Sequence, residues 1–375
     1  MPRIYLDYNA TTPIDPAVAE AMAPFLEYQF GNPSSGHWAS VGAEAALEAA
    51  RSQVAALLGA RDDEIVFTSG GSEANNLALK GVAWALKAKG DHIITSSVEH
   101  PAILGPCRFL QQHGFAVSVV PVDRFGRIDP GDVKRAISPR TILISIMHAN
   151  NEVGTIQPVA EVSRIAQEQG ILLHTDAAQS VGKIATDLNA IGVDLLTIAG
   201  HKVYAPKGVG ALYVRRGIPL EPLIHGASHE GGRRAGTESA LLVVGLGKAC
   251  ELARDLAPME RIRALRDRFW QRLQSAFGER VVLNGHPDQR LPNTLNALFV
   301  GQIGAEVLAR LDGVAASTGS ACHTGNVELS PVLKAMGVPP EVGMGAIRFS
   351  LGRGTTPQEI DTVADQLAHV LAATA

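Results

Sequence analysis

The chain has 375 residues, 46% hydrophobic and 19% charged, enough for one large domain with a sizeable core and a smaller one beside it. A net charge of −4 with no basic run argues against a nucleic-acid or anionic-membrane binder, and no apolar stretch is long enough to span a bilayer. The start, Met-Pro-Arg-Ile-Tyr-Leu-Asp, has no apolar signal segment; three scattered cysteines (Cys107, Cys250, Cys322) form neither a disulfide framework nor a metal site, so a cytoplasmic protein without metal is expected.

In chain order, Ile4–Pro13 reads as a short strand and a polar turn, residues 17–26 as a helix, and Ala43–Leu58 as an amphipathic helix. Glu64–Ser69 is the first buried strand, running into Gly70-Gly71-Ser72 and a helix through Leu79 and Trp84. Unpaired N–H groups and the helix dipole make such a start an anion site, with a bare tight turn as the equal alternative. Its spacing matches neither the dinucleotide nor the nucleoside-triphosphate fingerprint. The His92–Ser97 strand ends on Val98-Glu99-His100; a histidine there is either a hydrogen-bonded rim residue or a flat ring able to stack on a cofactor. Phe115–Pro121 alternates like a strand, and Thr141–Met147 is apolar throughout, as a central parallel strand should be, ending at His148–Gly154. After a helix at Val159–Gln169, Ile171–Asp176 ends on a carboxylate, and the apolar run from Asp194 stops at Gly200-His201-Lys202 before a Pro/Gly-rich loop.

Five apolar strands thus end, in order, near Ser72, His100, Asn151, Asp176 and Lys202. Alternating strands and helices predict a mostly parallel α/β sheet covered on both faces, whose strand ends open into one crevice. A lysine desolvated at such an end, facing a fixed carboxylate, is the pair that pyridoxal phosphate (PLP) requires: an amine for a Schiff base and an anion for the pyridine nitrogen. Taken alone, the pair also reads as an ordinary ion pair.

Farther on, His225–Glu238 is a glycine- and arginine-rich loop, Ala240–Leu252 a nearly all-apolar helix, and Met259–Phe277 a long amphipathic one. The boundary falls near 256–258: residues 15–255 form a large domain, and 1–14 with 256–375 a small one. Strands at Asn293–Val300, a helix at Ala305–Leu311 and a final helix opened by the capping box Thr356-Pro357-Gln358-Glu359 complete it. Residues 316–331, small and glycine-punctuated, predict a mobile surface loop in which the Cys322 thiol is either a nucleophile or an unreactive free cysteine. Ile347–Arg353 carries two arginines, either of which could hold a carboxylate.

Tyr5–Pro13, Phe30–Ser35, Phe67–Glu73, Ser97–His100, Asn150–Glu152, His174–Gln179, Gly200–Lys202, Arg234–Glu238 and Gly319–Cys322 together resemble the PLP-dependent cysteine desulfurases, in order and over nearly the whole chain. These belong to the class V aminotransferases, of fold type I. The resemblance implies that Lys202 forms the Schiff base and acts as general base, Asp176 pairs with the pyridinium, Gln179 and Asn151 lie near the ring hydroxyl, and His100 stacks on the ring. It places Gly71, Ser72 and His201 at the phosphate, with Thr237 reaching it from the second subunit of a homodimer. Arg353 would grip the substrate carboxylate, with Asn151 beside it, and Cys322 would take the sulfur of L-cysteine as a persulfide for an acceptor protein, in iron–sulfur cluster assembly or thiolation. Ala199 stands where many relatives carry a phosphate-binding hydroxyl. His323 and Ser330-Pro-Val-Leu333 are more similar to selenocysteine lyases, which makes L-selenocysteine the alternative substrate. A class V aminotransferase and a non-catalytic sulfur-relay scaffold are the lesser alternatives.

Overall fold

In the computed structural model, which describes residues 3–318, 322–323 and 326–372, the apolar runs become strands. Ile4–Tyr5 (β1) stands apart from the main sheet. That sheet is built from Ile65–Thr68 (β2), His92–Ser96 (β3), Ala116–Val120 (β4), Thr141–Ser145 (β5), Leu172–Asp176 (β6), Leu195–Ala199 (β7) and Gly210–Val214 (β8), in the order β2-β8-β7-β6-β5-β3-β4. Only β8 is antiparallel, to both of its neighbours. Two reversals restore the direction, so β2 still runs with β3, β5, β6 and β7, and the five C-terminal ends share one edge.

Strands β2, β3, β5 and β7 are buried along their whole length, which is why they are continuous apolar runs, whereas β4 is a half-exposed edge and alternates. One face carries Leu77, Ile103 and Leu110 from the helices Gly71–Ala85 and Pro101–Gln112 against Ile93, Leu143 and Leu195. The other packs Val54 and Leu246 from the helices Val41–Leu58 and Ala240–Ala253 over Ile94, Ile144 and Ile198. Strand β8 is absent from the sequence reading, which assigned no strand between Gly210 and His225. Gly210 admits it: a Cβ there would stand 2.6 Å from the Ile198 carbonyl oxygen and 2.8 Å from the Gly70 backbone.

A second core follows. Val281–Asn284 (β9), Thr294–Phe299 (β10), Val314–Ala315 (β11), Cys322–His323 (β12), Asn326–Val327 (β13) and Ala346–Ser350 (β14) give an antiparallel sheet β14-β10-β9, a β12–β13 pair, and a parallel pair of β11 with β1. Ile262, Phe269 and Leu273 on the helix Ala257–Phe277 and Ile360 and Leu367 on the helix Pro357–Ala372 close over Phe349, with Ile4 and Leu6 from the N-terminal segment in the same cluster. The last helix opens as read: the Glu359 carboxylate accepts from Thr356 N at 2.7 Å, and Thr356 Oγ1 accepts from Glu359 N at 3.3 Å.

Candidate active site

At the shared strand edge lies a cavity of about 430 Å³, within the range of small-molecule sites. Asn9, Gly71, Ser72, Asn75, His100, Asn151, Asp176, Gln179, Ala199, His201, Lys202 and Arg348 are among its lining residues. Lys202 enters just past β7, where Gly200–Lys202 forms a single 3₁₀ turn. Its Nζ donates to the carbonyl oxygens of Asn9 (2.5 Å) and Ala10 (2.7 Å). Burial, reinforced by the Arg348 charge and opposed by Asp7 and Asp176, pushes its ammonium down to about 8. The amine is therefore available near neutral pH, as a Schiff-base lysine needs.

Asp176, only 6% exposed at the end of β6, is fixed by hydrogen bonds from Asn75 Nδ2 (2.7 Å) and Ala178 N (3.0 Å). Gln179 Nε2 donates to the Asn9 carbonyl at 2.9 Å. His100 caps the helix Pro101–Gln112: its Nδ1 accepts from Ala102 N at 3.1 Å, so the neutral ring carries its proton on Nε2. Burial lowers the His100 pKa, with Asp176 opposing and Lys202 assisting, so the ring favours its neutral form. Beside it, the buried Glu99 accepts through Oε1 from Ser96 Oγ (2.7 Å) and Met147 N (2.9 Å), while Oε2 has no partner. Burial pushes Glu99 up to about 8 against those two donors, and the Asp176 charge adds to the shift.

The opposite end suits an anion. Gly70 has φ 149°, a conformation reserved for glycine, and turns the chain into the helix Gly71–Ala85, whose first N–H groups lack intrahelical acceptors. A Cβ on Gly71 would meet the Ala199 Cβ at 3.1 Å, so a larger residue would crowd this cradle. His201 Nδ1 pairs with Thr11 Oγ1 at 3.2 Å; burial, with the charges of Lys202, Lys207 and Lys183, lowers the ring to about 4, leaving it neutral. An anion cradle at one end, a buried carboxylate at the other and a depressed lysine between them fit pyridoxal phosphate. The buried Asn75 Oδ1, lacking a partner, adds a polar atom at this cavity.

Of the residues singled out in sequence, Gly71, Ser72, His100, Asn151, Asp176, Gln179, His201 and Lys202 line this one cavity. Arg353 does not. Its guanidinium packs 4.5 Å from the Tyr204 ring centroid and 3.4 Å from Asp15, at a separate small void. Arg348, five residues earlier on β14, is the arginine at the cavity; it donates to the Asn151 carbonyl (3.1 Å) and Asp7 (2.7 Å), and its Nε has no partner. The alternation of β14 explains the difference: Ile347 and Phe349 enter the second core, so Arg348 points the other way. Thr237 also lies outside the cavity of its own chain, exposed beside Glu238 and Arg234. The backbones of Cys322–His323 and Asn326–Val327 pair, but the expectation placed on the Cys322 thiol lies outside the described residues, as do 319–321 and 324–325. Sequence reading missed Asn75, although its position four residues after Gly71 puts it on the same helix face. It missed Asn9 because that contact is a backbone carbonyl. Among the described residues no cluster of side chains could hold a metal, and no helix is long and apolar enough to cross a membrane.

A model of the aminotransferase class-V family matches residues 4–363. A cysteine desulfurase IscS from Dictyoglomus turgidum is 51% identical, the match covering 98% of this chain and 94% of that protein. One from Methanosarcina thermophila is 46% identical, covering 98% and 92%. Among solved structures, a NifS-like protein superposes with a TM-score of 0.93 at 37% identity, covering 99% of this chain and 100% of the other. SspA in complex with cysteine gives 0.84 at 38% identity, covering 94% and 100%.

Proposed function

The chain belongs to the aminotransferase class-V family and, within it, to the PLP-dependent cysteine desulfurases, and from that premise we propose how its residues take sulfur from L-cysteine onto Cys322 and release L-alanine. The observation that carries this reading is the convergence of Lys202, Asp176, His100 and the Gly71–Ser72 cradle on one cavity. Gly71, Ser72 and His201 hold the phosphate, Asp176 the ring nitrogen, Gln179 and Asn151 the ring oxygen, and His100 stacks on the ring. Bound there, pyridoxal phosphate supplies an electron sink for bond breaking at the substrate Cα.

The chain's own residues do the rest. Arg348 grips the substrate carboxylate, in place of Arg353. Lys202 removes the Cα proton as general base, a role its lowered pKa suits. The Cys322 thiolate attacks the substrate sulfur; the Cβ–S bond breaks, an S–S bond forms, and protonation at Cβ completes alanine. An acceptor protein then takes the persulfide sulfur, for iron–sulfur cluster assembly or thiolation. The names of the relatives favour L-cysteine over L-selenocysteine as substrate.

Two coarser features belong to the same proposal. Leu26, Tyr28, Phe30, Trp38 and Val41, between 63% and 85% exposed, form an uncovered apolar stretch near the N-terminus. A homodimer would cover it and bring Thr237 to the partner's phosphate. Residues 15–255, and 1–14 with 256–375, act as large and small domains of a cytoplasmic enzyme. Turnover of L-cysteine by wild type and Cys322→Ser tests the reading: sulfide release should be lost in the variant, while the bound-cofactor absorption band stays.

A further inference from the structure

We propose that Lys183, which the chemistry above leaves unused, is a positioning residue: its amine holds the carbonyl end of the Gln179 side chain and so keeps the NH₂ end on the Asn9–Lys202 side of the cavity. The inference rests on the reading of that cavity as the pyridoxal phosphate site.

Lys183 is 8% exposed, yet among the described residues no carboxylate pairs with it. Such burial of a lysine is costly, so its single hydrogen bond carries weight. That bond runs from Nζ to Gln179 Oε1, at 2.8 Å. The other end of the amide is equally committed: Nε2 donates to the Asn9 carbonyl at 2.9 Å, the same oxygen that accepts from Lys202 Nζ at 2.5 Å. Lys183, Gln179, Asn9 and Lys202 therefore form one line of hydrogen bonds from the protein interior to the reactive amine.

An amide has an acceptor end and a donor end, and this line accepts only one orientation. Turned over, Oε1 would face the Asn9 oxygen and Nε2 would face the Lys183 amine, setting acceptor against acceptor and donor against donor. Asn9 alone opposes the turn from one side; Lys183 opposes it from the other. Burial, with the charges of Lys202 and Arg348, pushes Lys183 down to about 7. The ammonium, which has no lone pair, enforces the orientation, while the neutral amine could also accept, so the clamp is firmest below about pH 7 and the Asn9 carbonyl alone opposes the turn above it. Methionine fills the same space with no donor and leaves Oε1 unpaired.

The test measures the dissociation constant of pyridoxal phosphate for the apoprotein, and the position of the bound-cofactor absorption band, in wild type, Lys183→Met, Gln179→Ala and the double variant. Lys183→Met should weaken binding about tenfold and move the band, the effect of one lost buried hydrogen bond. In the Gln179→Ala background the same change should weaken binding less than about twofold, because the group it acts through is gone. Should Lys183→Met fail to fold, judged by circular dichroism, Lys183→Leu carries the same prediction. Wild-type affinity and an unmoved band in Lys183→Met would overturn the inference, as would an equal loss with and without Gln179. A wild type that takes up no cofactor would instead remove the reading on which the inference rests.

Discussion

In the proposed chemistry Lys202 supplies the reactive amine, and its environment gives that amine a measurable signature. Only the neutral amine attacks an aldehyde, and the folded protein lowers its pKa to about 8 from the ordinary 10.5. The rate at which apoprotein captures pyridoxal phosphate should therefore rise with pH through a midpoint near 8 and level off above it. A midpoint near that of a free lysine would contradict the desolvated site. Lys202→Ala should lose covalent attachment and about a thousandfold or more in turnover. The two arginines separate in the same way. Arg348→Lys, which loses the planar fork, should raise the KM for L-cysteine roughly tenfold or more, whereas Arg353→Ala should leave KM within about threefold. At this scale the sequence singled out eight of the residues that line the cavity. It gave the carboxylate to Arg353, which lies outside the cavity, for a plain reason: which side of β14 faces the cavity depends on which residues the second core takes.

At the scale of elements, five strand ends and one helix start make the site, and each can be perturbed by itself. Gly71→Ala would place a methyl group 3.1 Å from the Ala199 Cβ in the mouth of the anion cradle, and should weaken pyridoxal phosphate binding. Ala199→Ser adds a hydroxyl at the same place and should strengthen it; titration of the apoproteins with cofactor reads both. At the end of β3, Glu99 has a folded pKa of about 8 against 4.5 unfolded. Its contribution to stability is present below pH 4.5 and is lost as pH rises to about 8, because the unfolded chain releases the proton first. Glu99→Gln removes that loss. Denaturant melts should show the variant gaining on wild type from pH 4.5 to 8 and the difference levelling above. The strand ends were legible in the sequence because buried parallel strands are unbroken apolar runs closed by polar turns. Strand β8 carries the same signal in residues 211–214, but it follows directly on the Pro/Gly-rich loop and reads as part of it; only its antiparallel direction is unwritten in the chain.

For the whole molecule, the proposed homodimer would cover the exposed apolar stretch around Phe30 and Trp38. Sedimentation should give a dimer for wild type. Trp38→Glu should shift it toward monomer and weaken cofactor binding, since Thr237 of the partner would be withdrawn; a stable, fully active monomer would contradict this. Pairing between copies leaves only a surface anomaly in one chain, which is why the resemblance of Arg234–Glu238 to its family, and not its spacing, raised it. Transfer of sulfur from L-cysteine to Cys322 is read by mass spectrometry of the protein after a single turnover with L-cysteine, beside L-alanine counted in the supernatant. One added sulfur is expected on the peptide containing Cys322, matched by one alanine, with both absent in Cys322→Ser. Alanine released at the wild-type rate by Cys322→Ser, or sulfur found on Cys107 or Cys250 instead, would contradict it.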